Sequence, residues 1–149
     1  MIRDALISDA KVIQKLVNSF ANNGEMLPLS LNDVYENILK FVVWEEEGEV
    51  VGCCALHPTW EDLAEVRSIA VCESMKGKGI GYKLVVEVLD RAKKLGIKNM
   101  FLLTYVPGFF EKLGFTIVEK ETLPKKIWSD CLKCTKFPDC DEIAMSMEL

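Results

Sequence analysis

Long apolar runs are absent from this sequence. Its most apolar segments, residues 41–44 and 50–56, are far shorter than the roughly 20 residues that a membrane-spanning helix needs. Residues 1–4 carry charge where a secretory signal peptide would need an apolar core. We therefore expect a cytoplasmic protein with no membrane partner. No internal repeat or linker is apparent, so the 149 residues are expected to form a single domain, 1–149.

An excess of positive charge is also absent, because 23 acidic residues outnumber 18 lysine and arginine residues and give a formal net charge of −5. Domains that bind nucleic acid usually carry a basic surface. No nucleic-acid partner is therefore expected, and any site for an anion must be local. Histidine is scarce too. His57 is the single one, and its place beside Pro58 at a strand end favours a structural role over that of a catalytic base.

The sequence has six cysteines but no export signal, which favours reduced thiols over disulfides. Cys53, Cys54 and Cys72 lie in or beside apolar strands and are expected in the core. The other three are Cys131, Cys134 and Cys140. Structural zinc needs four ligands, so an aspartate or a partner chain would have to complete a site there. Packed thiols are favoured, and no metal is predicted.

Hydrophobic periodicity predicts alternating strands and helices. Ser30 and Asp33 form a capping-box pattern before one helix, Gly96 ends another, and Pro58 is expected in a loop. The predicted strands are 1–7, 41–44, 50–56, 64–71, 99–105, 115–119 and 143–147, and the predicted helices begin near residues 10, 31, 80 and 109. Hairpins combined with one strand–helix–strand crossover indicate a mixed sheet flanked by helices.

A glycine turn lies between the strand 64–71 and the longest predicted helix. Gly77, Gly79 and Gly81 alternate there with Lys78 and Ile80. Glycine lets the backbone approach a ligand closely, and a helix that begins at such a turn directs unpaired N–H groups outward. The pattern predicts a binding site for a phosphate. The alternative is that the glycines only allow the helix to pack close to the sheet.

Two nucleotide-binding motifs do not fit this turn. A P-loop would need a Lys-Ser or Lys-Thr pair after the glycines, and none follows. A dinucleotide fold would need the spacing G-x-G-x-x-G and an acidic residue near the end of the next strand. That strand ends Leu103-Thr104-Tyr105, without a carboxylate.

The turn has a better match elsewhere. Residues 76–81, Lys-Gly-Lys-Gly-Ile-Gly, fit the pattern [QR]-x-x-G-x-[GA] except at Lys76, and residues 109–115 are similar to the segment F-Y-E-K-x-G-F. Over nearly its whole length the sequence resembles the GNAT acetyltransferases. The resemblance implies an α/β (α+β) fold, with a mixed, mostly antiparallel sheet of six to seven strands and about four helices. It also implies acetyl-CoA as co-substrate.

The resemblance assigns roles on the strand and the turn. In such enzymes the strand is bulged, its free backbone groups bind the pantetheine arm, and the pyrophosphate lies on the N–H groups of the turn. Phe110 occupies the place of a tyrosine that usually protonates the leaving thiolate. The residues expected at the coenzyme are Ile69, Ala70, Val71, Lys76, Gly77, Lys78, Gly79, Ile80, Gly81, Tyr82 and Phe110.

Three residues are candidates for the chemistry. Glu65 is the expected general base, and period-two alternation places it on the same face as Arg67, although the two side chains could simply form an ion pair. The Ile69 N–H is the expected oxyanion donor. Tyr105 could replace the missing acid, although a structural aromatic is favoured there. The thiolate could also leave unassisted.

The acceptor is predicted from Arg67, since a cation on that face favours a carboxylate substrate. Residues 26–30, 63–68 and 123–142 resemble the single-domain N-acetylglutamate synthases of arginine biosynthesis. The resemblance implies that Arg67 binds the α-carboxylate and Lys126 the side-chain carboxylate, with Trp128 as a wall. Leu29 stands where a basic residue is expected in relatives.

The predicted activity is therefore acetylation of a small amino acid, L-glutamate first. A GNAT enzyme for another amine, such as a polyamine or a peptide N-terminus, is the nearest alternative. A non-catalytic acyl-CoA sensor is the other, because Phe110 replaces the usual tyrosine. A homodimer is left open.

Overall fold

The computed structural model describes residues 1–21, 28–123 and 142–149. The strands are β1 (Ile2–Asp4), β2 (Phe41–Glu46), β3 (Glu49–Trp60), β4 (Leu63–Val71), β5 (Asn99–Thr104), β6 (Thr116–Val118) and β7 (Ile143–Glu148). The α-helices are α1 (Ala10–Ala21), α2 (Leu31–Glu36), α3 (Ile80–Leu95) and α4 (Pro107–Glu111), and single 3₁₀ turns span Ile7–Asp9, Ile38–Lys40, Glu73–Met75 and Lys120–Thr122. No helix in these ranges is long and apolar enough to cross a membrane.

The seven strands form one sheet in the order β1-β2-β3-β4-β5-β7-β6. Every neighbouring pair is antiparallel except β4 and β5, which are parallel and are connected through α3. The fold class is therefore the predicted one: a mixed, mostly antiparallel sheet flanked by four helices. A parallel pair needs a crossover long enough to return the chain to the same edge, and α3 provides it.

The helices pack on both faces of the sheet. On one face α3 inserts Leu84, Val85 and Val88, each with no exposed surface. Gly52 of β3 makes this close packing feasible, because a Cβ there would lie only 3.1 Å from Leu84 Cδ1. On the other face Ile13 of α1 belongs to a second cluster of buried side chains. Strands β3 and β4 are therefore held between two layers of apolar side chains.

Local sequence signals account for the helix ends. Ser30 Oγ accepts a hydrogen bond from the Asp33 N–H at 3.0 Å, and the Asp33 carboxylate accepts from the Ser30 N–H at 3.3 Å, so the predicted capping box is present. Gly96 ends α3 in the left-handed conformation, with φ of 89°.

Several predicted details are wrong. Pro58 lies within β3 rather than in a loop, because β2 extends only to the level of Ala55. Beyond that point β3 has a neighbour on one side only, and a proline without an N–H costs less there. Leu39 and Leu95 continue apolar helical patterns in the sequence, but they are 93% and 66% exposed, because Leu39 lies in the 3₁₀ turn after the end of α2 and Leu95 is the last residue of α3.

A buried ion pair joins the N-terminal strand to the first helix. The Asp9 carboxylate accepts from Arg3 Nη1 at 2.7 Å and from the Leu6 N–H at 2.7 Å, and Arg3 also contacts Glu45 of β2 at 3.3 Å. The hydrogen bond from Arg3 lowers the pKa of Asp9 below its ordinary value. The ionised form of Asp9 is therefore more favourable in the folded protein than in the unfolded chain.

We predict that Asp9→Asn lowers the free energy of unfolding at neutral pH by about 1–3 kcal/mol, because Arg3 loses the nearer of its two charged partners. The stabilisation by ionised Asp9 is complete above its ordinary pKa of 3.8 and is lost as the pH falls through the lower pKa of the folded protein. The free energy of unfolding of the variant should therefore fall less steeply with decreasing pH than that of the wild-type protein. Urea unfolding from pH 7 to pH 2 measures this. Asp90→Asn, which removes an exposed pair with Lys94, is the matched control.

Candidate active site

The central feature is a gap between β4 and β5. The two strands pair at three positions, the last of which joins Glu65 to Phe101. β4 then continues to Val71 and β5 to Thr104, but in the described residues the two strands do not pair with each other again. The backbone of β4 beyond Glu65 is thus open on the side that β5 has left, and polar backbone groups there need other partners.

A β-bulge lies in this open part of β4. Ala70 is opposite Cys53 and Arg67 is opposite Ala55, so Cys54 alone faces the two residues between them, Ser68 and Ile69. Ser68 has φ of 54°, a left-handed conformation that few residues other than glycine adopt. A bulge bends its strand and leaves one residue unpaired. The bulge that the resemblance implied is therefore present.

The bulge lies against a buried cysteine. The Cys53 thiol donates to the Ser68 carbonyl at 3.4 Å, and the Ala70 backbone hydrogen-bonds the same sulfur. Burial raises the pKa of the Cys53 thiol to about 12, and burial together with Cys53 raises the pKa of Cys54 above its ordinary range. Both thiols are protonated at neutral pH, and they belong to the core as expected.

The direction of the β4 backbone favours binding along the gap. The Cys72 N–H donates to the Val51 carbonyl of β3 at 2.9 Å. Because backbone groups alternate sides along a strand, Val71 directs its N–H and C=O away from β3, towards the gap. Ile69, two residues earlier, adjoins the bulge. The roles predicted for Ile69, Ala70 and Val71 remain predictions, and Val71 has the direction that its role requires.

The glycine turn follows directly after β4 and a 3₁₀ turn. Gly77 and Gly79 have φ of 82° and 80°, in the region that favours glycine, and a Cβ on Gly79 would meet no atom within 4 Å. The Lys83 N–H donates to the Gly79 carbonyl at 3.1 Å, and the N–H groups of the helical residues before it have no helical partner. Open space in front of such N–H groups fits a phosphate.

The side chains around the turn are two lysines, the buried Ile80 and the exposed Tyr82. Lys76 contacts Glu73 at 3.0 Å, and Lys78 lies 3.8 Å from the Met75 sulfur. Ile80 is 4% exposed, so only its backbone N–H could serve a ligand, as predicted, and Tyr82 is exposed. The two lysines add positive charge beside the helix terminus, which already favours an anion.

Aromatic rings of α4 lie next to the turn. Phe110 is buried, with its ring 4.9 Å from that of Phe109 and 5.9 Å from that of Phe115, so it packs in the core. The predicted contact of Phe110 with the coenzyme remains a prediction, because packing in the core is enough to account for the position of the ring. Phe109 is the ring beside the turn, since a Cβ on Gly81 would lie 3.6 Å from its Cζ. The sequence interpretation missed Phe109.

Tyr105 follows β5 at the open end of the gap. If the parallel register of β4 and β5 is extended from the pair of Glu65 and Phe101, Tyr105 reaches the level of Ile69. The Val106 N–H donates to Thr104 Oγ1 at 2.9 Å, so the chain turns just after the strand. Tyr105 is half-buried there. This position is compatible with the proton-donor role, which remains a prediction.

Glu65 and Arg67 lie on one face of β4, as alternation predicts. Arg67 Nε is 3.6 Å from Glu65 Oε1, and the two side chains are 24% and 14% exposed. His57 is opposite Glu65 on β3, and Ala55 is opposite Arg67. Because Glu65 is also the last β4 residue paired with β5, this ion pair stands where the gap begins.

Lys40 is a neighbour that the sequence interpretation missed. Its Nζ lies 3.3 Å from His57 Nδ1, so the histidine borders this group of charges. Burial and the nearby charge of Arg67 lower the pKa of Lys40. This position depends on the register of the β2–β3 hairpin, in which Phe41 pairs with Ala55, and the sequence alone does not give that register.

Some predicted residues lie outside the described part of the chain. They are Lys126, Trp128, Cys131, Cys134 and Cys140. Across residues 1–21, 28–123 and 142–149 there is no group of three or more histidine, cysteine, aspartate or glutamate side chains that could hold a metal ion.

Comparison with known proteins identifies the arrangement. Residues 11–115 match the acetyltransferase (GNAT) family. The chain belongs to this family. It is 41% identical over 144 residues to an uncharacterised N-acetyltransferase of Chlorobaculum tepidum, covering 97% of this chain and 93% of that protein. It is 36% identical over 133 residues to the amino-acid acetyltransferase of Mycobacterium tuberculosis, covering 87% and 76%.

Solved structures give the same result. A Mycobacterium tuberculosis protein in complex with CoA superposes with a TM-score of 0.86 at 32% identity, covering 100% of this chain and 99% of that one. N-acetylglutamate synthase from Neisseria gonorrhoeae, in complex with CoA and N-acetyl-glutamate, superposes with a TM-score of 0.91 at 24% identity. This chain spans 35% of that synthase, and at this identity the likeness shows the fold alone.

The predicted family, fold class and enzyme class are thereby confirmed. The chain is a GNAT acetyltransferase, and acetyl-CoA is its co-substrate. The glycine turn, the bulge and the gap form one continuous path along β4 in this GNAT domain. The turn can hold the pyrophosphate and the open strand can hold the extended arm that carries the acetyl group.

We predict that Gly79→Ala weakens acetyl-CoA binding by about tenfold or more, because it removes turn N–H groups from their positions and places a methyl group in the open space. Isothermal titration measures the dissociation constant. Gly48→Ala is the matched control, since Gly48 also has φ of 80° and open surroundings but lies in the β2–β3 hairpin rather than in the glycine turn. Both variants should lose about 1–2 kcal/mol of stability, and equal coenzyme affinities would contradict the assignment of the turn.

Proposed function

We propose that this enzyme transfers the acetyl group of acetyl-CoA to the α-amino group of an acidic amino acid, with L-glutamate as the first candidate. The product would be N-acetylglutamate, as in the first step of arginine biosynthesis. The observation that carries the proposal is the pair of Glu65 and Arg67 at the beginning of the gap. The name of the mycobacterial relative and the N-acetyl-glutamate bound to the gonococcal synthase support it.

The proposed reaction is a direct transfer. The ammonium group of the acceptor first loses a proton to Glu65, and the neutral amine then attacks the thioester carbonyl carbon. A C–N bond forms, the C–S bond breaks and the sulfur leaves with its electron pair as the CoA thiolate. The second nitrogen proton is released as the amide forms, and one proton ends on the thiolate or in solvent.

Glu65 has the surroundings of a base that can be switched by substrate. In the protein alone its carboxylate is 3.6 Å from the Arg67 guanidinium. A substrate carboxylate that approaches Arg67 would compete for this cation, because guanidinium groups bind carboxylates well. Glu65 would then lose part of its neighbouring positive charge, become more basic and accept the ammonium proton more readily.

The rest of β4 would stabilise the tetrahedral intermediate. The carbonyl oxygen becomes negative when the amine attacks, and a backbone N–H near the bulge, that of Ile69 in our proposal, would donate to it. Tyr105 is the proposed proton donor to the thiolate. Its help is not essential, because a thiolate is a weak enough base to leave without being protonated first.

The cellular setting is also part of the proposal. Cys53, Cys54 and Cys72, the cysteines in the described part of the chain, are free thiols, which supports a reducing compartment such as the cytoplasm. We propose that residues 1–149 act as one domain. A homodimer remains open.

We predict that the purified protein releases CoA thiol with L-glutamate faster than with a polyamine or a short peptide, because these lack a carboxylate next to the amine for Arg67 to bind. L-Aspartate and L-glutamine carry that carboxylate, so their rates show how far the acceptor side chain matters. The release of free thiol at saturating acetyl-CoA measures this. Turnover of the polyamine or the peptide without turnover of glutamate would overturn the proposed acceptor while leaving the GNAT assignment intact.

We predict that Arg67→Ala raises the KM for glutamate about tenfold or more while the dissociation constant for acetyl-CoA stays the same. The reason is that Arg67 lies on what we call the acceptor face, the face of the sheet that carries Glu65 and Arg67. Glu65→Gln should lower kcat mainly, by about 100-fold or more. Steady-state kinetics and coenzyme titration separate these effects. Arg91→Ala serves as the control, because it removes two ion pairs of an α3 residue, one with Asp4 of β1 and one with Glu87 of α3. Loss of coenzyme binding in the Arg67 variant would show that its role is misassigned.

A further inference from the structure

Lys40 is a second cation on the acceptor face that the proposed function does not use. It ends the 3₁₀ turn Ile38–Lys40, directly before β2. Ile38, two residues before it, and Phe41, directly after it, are 7% and 3% exposed, so the short turn that carries Lys40 is anchored in the core at both ends. A lysine fixed in this way keeps its ammonium group in a defined region, which is what selective binding of a charged group requires.

The contacts of Lys40 bring its ammonium group towards Arg67. Lys40 Nζ lies 3.3 Å from His57 Nδ1, and His57 shares a face of the sheet with Ala55 and Arg67. Phe41 of β2, Ala55 of β3 and Arg67 of β4 are successive partners across three strands. Neighbouring strands are about 4.8 Å apart, so the backbones of Phe41, which follows Lys40, and of Arg67 are separated by about 10 Å. The Ala55 side chain between them is 4% exposed and packs in the buried cluster against α1, so the two cations face the same space on the side of His57, where Lys40 makes its contact.

The ammonium group of Lys40 lacks a carboxylate partner in the described ranges. Its contact there is His57 Nδ1, at 3.3 Å, which brings no negative charge when the ring is neutral. The group is half-buried, and burial and the charge of Arg67 together lower its pKa. An anion placed next to Lys40 would relieve both effects.

We propose that Lys40 binds the side-chain carboxylate of the acceptor while Arg67 binds its α-carboxylate, so that this pair of cations selects a dicarboxylic amino acid. This inference rests on the proposed function and assigns the distal contact to a residue in the described part of the chain. Two cations that approach the same space from different elements, Lys40 from the turn before β2 and Arg67 from β4, match an acceptor with two separated carboxylates better than one with a single carboxylate. His57 would then be a positioning residue, because its ring limits where the Lys40 ammonium can lie.

The experiment compares wild-type protein with Lys40→Gln, Lys40→Met and Lys40→Arg, using L-glutamate and L-glutamine as acceptors at saturating acetyl-CoA. The quantity measured is the ratio of kcat/KM for glutamate to kcat/KM for glutamine. We expect this ratio to fall about 10- to 100-fold in the Gln and Met variants, mainly through a higher KM for glutamate. Lys40→Arg, which keeps the charge, should retain most of the preference. Lys93→Gln, an exposed lysine on α3 at the opposite face, is the matched control.

A second measurement does not depend on turnover. Lysines are reductively methylated in the presence of CoA with glutamate, with glutamine and with neither, and mass spectrometry gives the rate at each position. Glutamate, but not glutamine, should slow the modification of Lys40, while Lys93 should react equally in both cases.

The outcomes separate this inference from the function on which it rests. If the wild-type protein acetylates glutamate but the Gln and Met variants keep both the ratio and the KM, Lys40 does not bind the side chain and the inference is wrong. Equal methylation of Lys40 with glutamate and with glutamine would also overturn it. If the wild-type protein acetylates no amino acid, the proposed function fails first, and the inference fails with it.

Discussion

The separation of β4 from β5 is the constraint on which the rest of the site depends. The backbone of a strand in the middle of a sheet normally forms hydrogen bonds with both neighbouring strands. Here β4 leaves β5 after Glu65 while it remains paired with β3 up to the residues before the glycine turn. The unpaired edge lies inside the sheet, where an extended ligand can take the place of a strand. Catalytic and binding groups are then ordered along one strand, from the ion pair at Glu65 to the turn after Val71.

Such an opening needs a firm scaffold, because a sheet would otherwise close its hydrogen-bond ladder. The α3 layer packs against one face of β3 and β4, and the α1 layer packs against the other. Gly52 allows α3 to approach so closely that the helix cannot shift far without collision. The bulge at Ser68 then fixes the bend of β4 through a backbone conformation with φ of 54°. Unfavourable local geometry of this kind persists only where the surrounding structure holds it in place.

Much of this arrangement was predictable from the sequence. The long apolar stripe of α3, the capping box at Ser30 and the glycine turn are local signals, and each led to the correct element. Alternation along β4 correctly placed Glu65 and Arg67 on one face. Features that depend on the register between strands were missed. Pro58 in β3 and Lys40 beside His57 both follow from how far β2 extends along β3, which no local pattern states.

The Phe110 position illustrates a further limit. A motif compares residue types, and the replacement of a tyrosine by phenylalanine suggested a missing acid. The structure shows that Phe110 and Phe115 pack edge to face in the core, so the ring also stabilises the end of the sheet. Whether a hydroxyl there would reach the coenzyme depends on side-chain direction, which a sequence pattern does not contain. Phe109, one residue earlier, is the ring next to the glycine turn.

The buried thiol at the bulge has a consequence for an enzyme that releases a free thiol in every cycle. Disulfide exchange requires a thiolate, and access to it. Cys53 is held protonated by burial and donates its hydrogen to the Ser68 carbonyl. It therefore supports the bent strand without offering an accessible thiolate that could attack a disulfide form of CoA and release a CoA thiolate. The β3 sulfur that lies against the bulge is in this respect chemically inert.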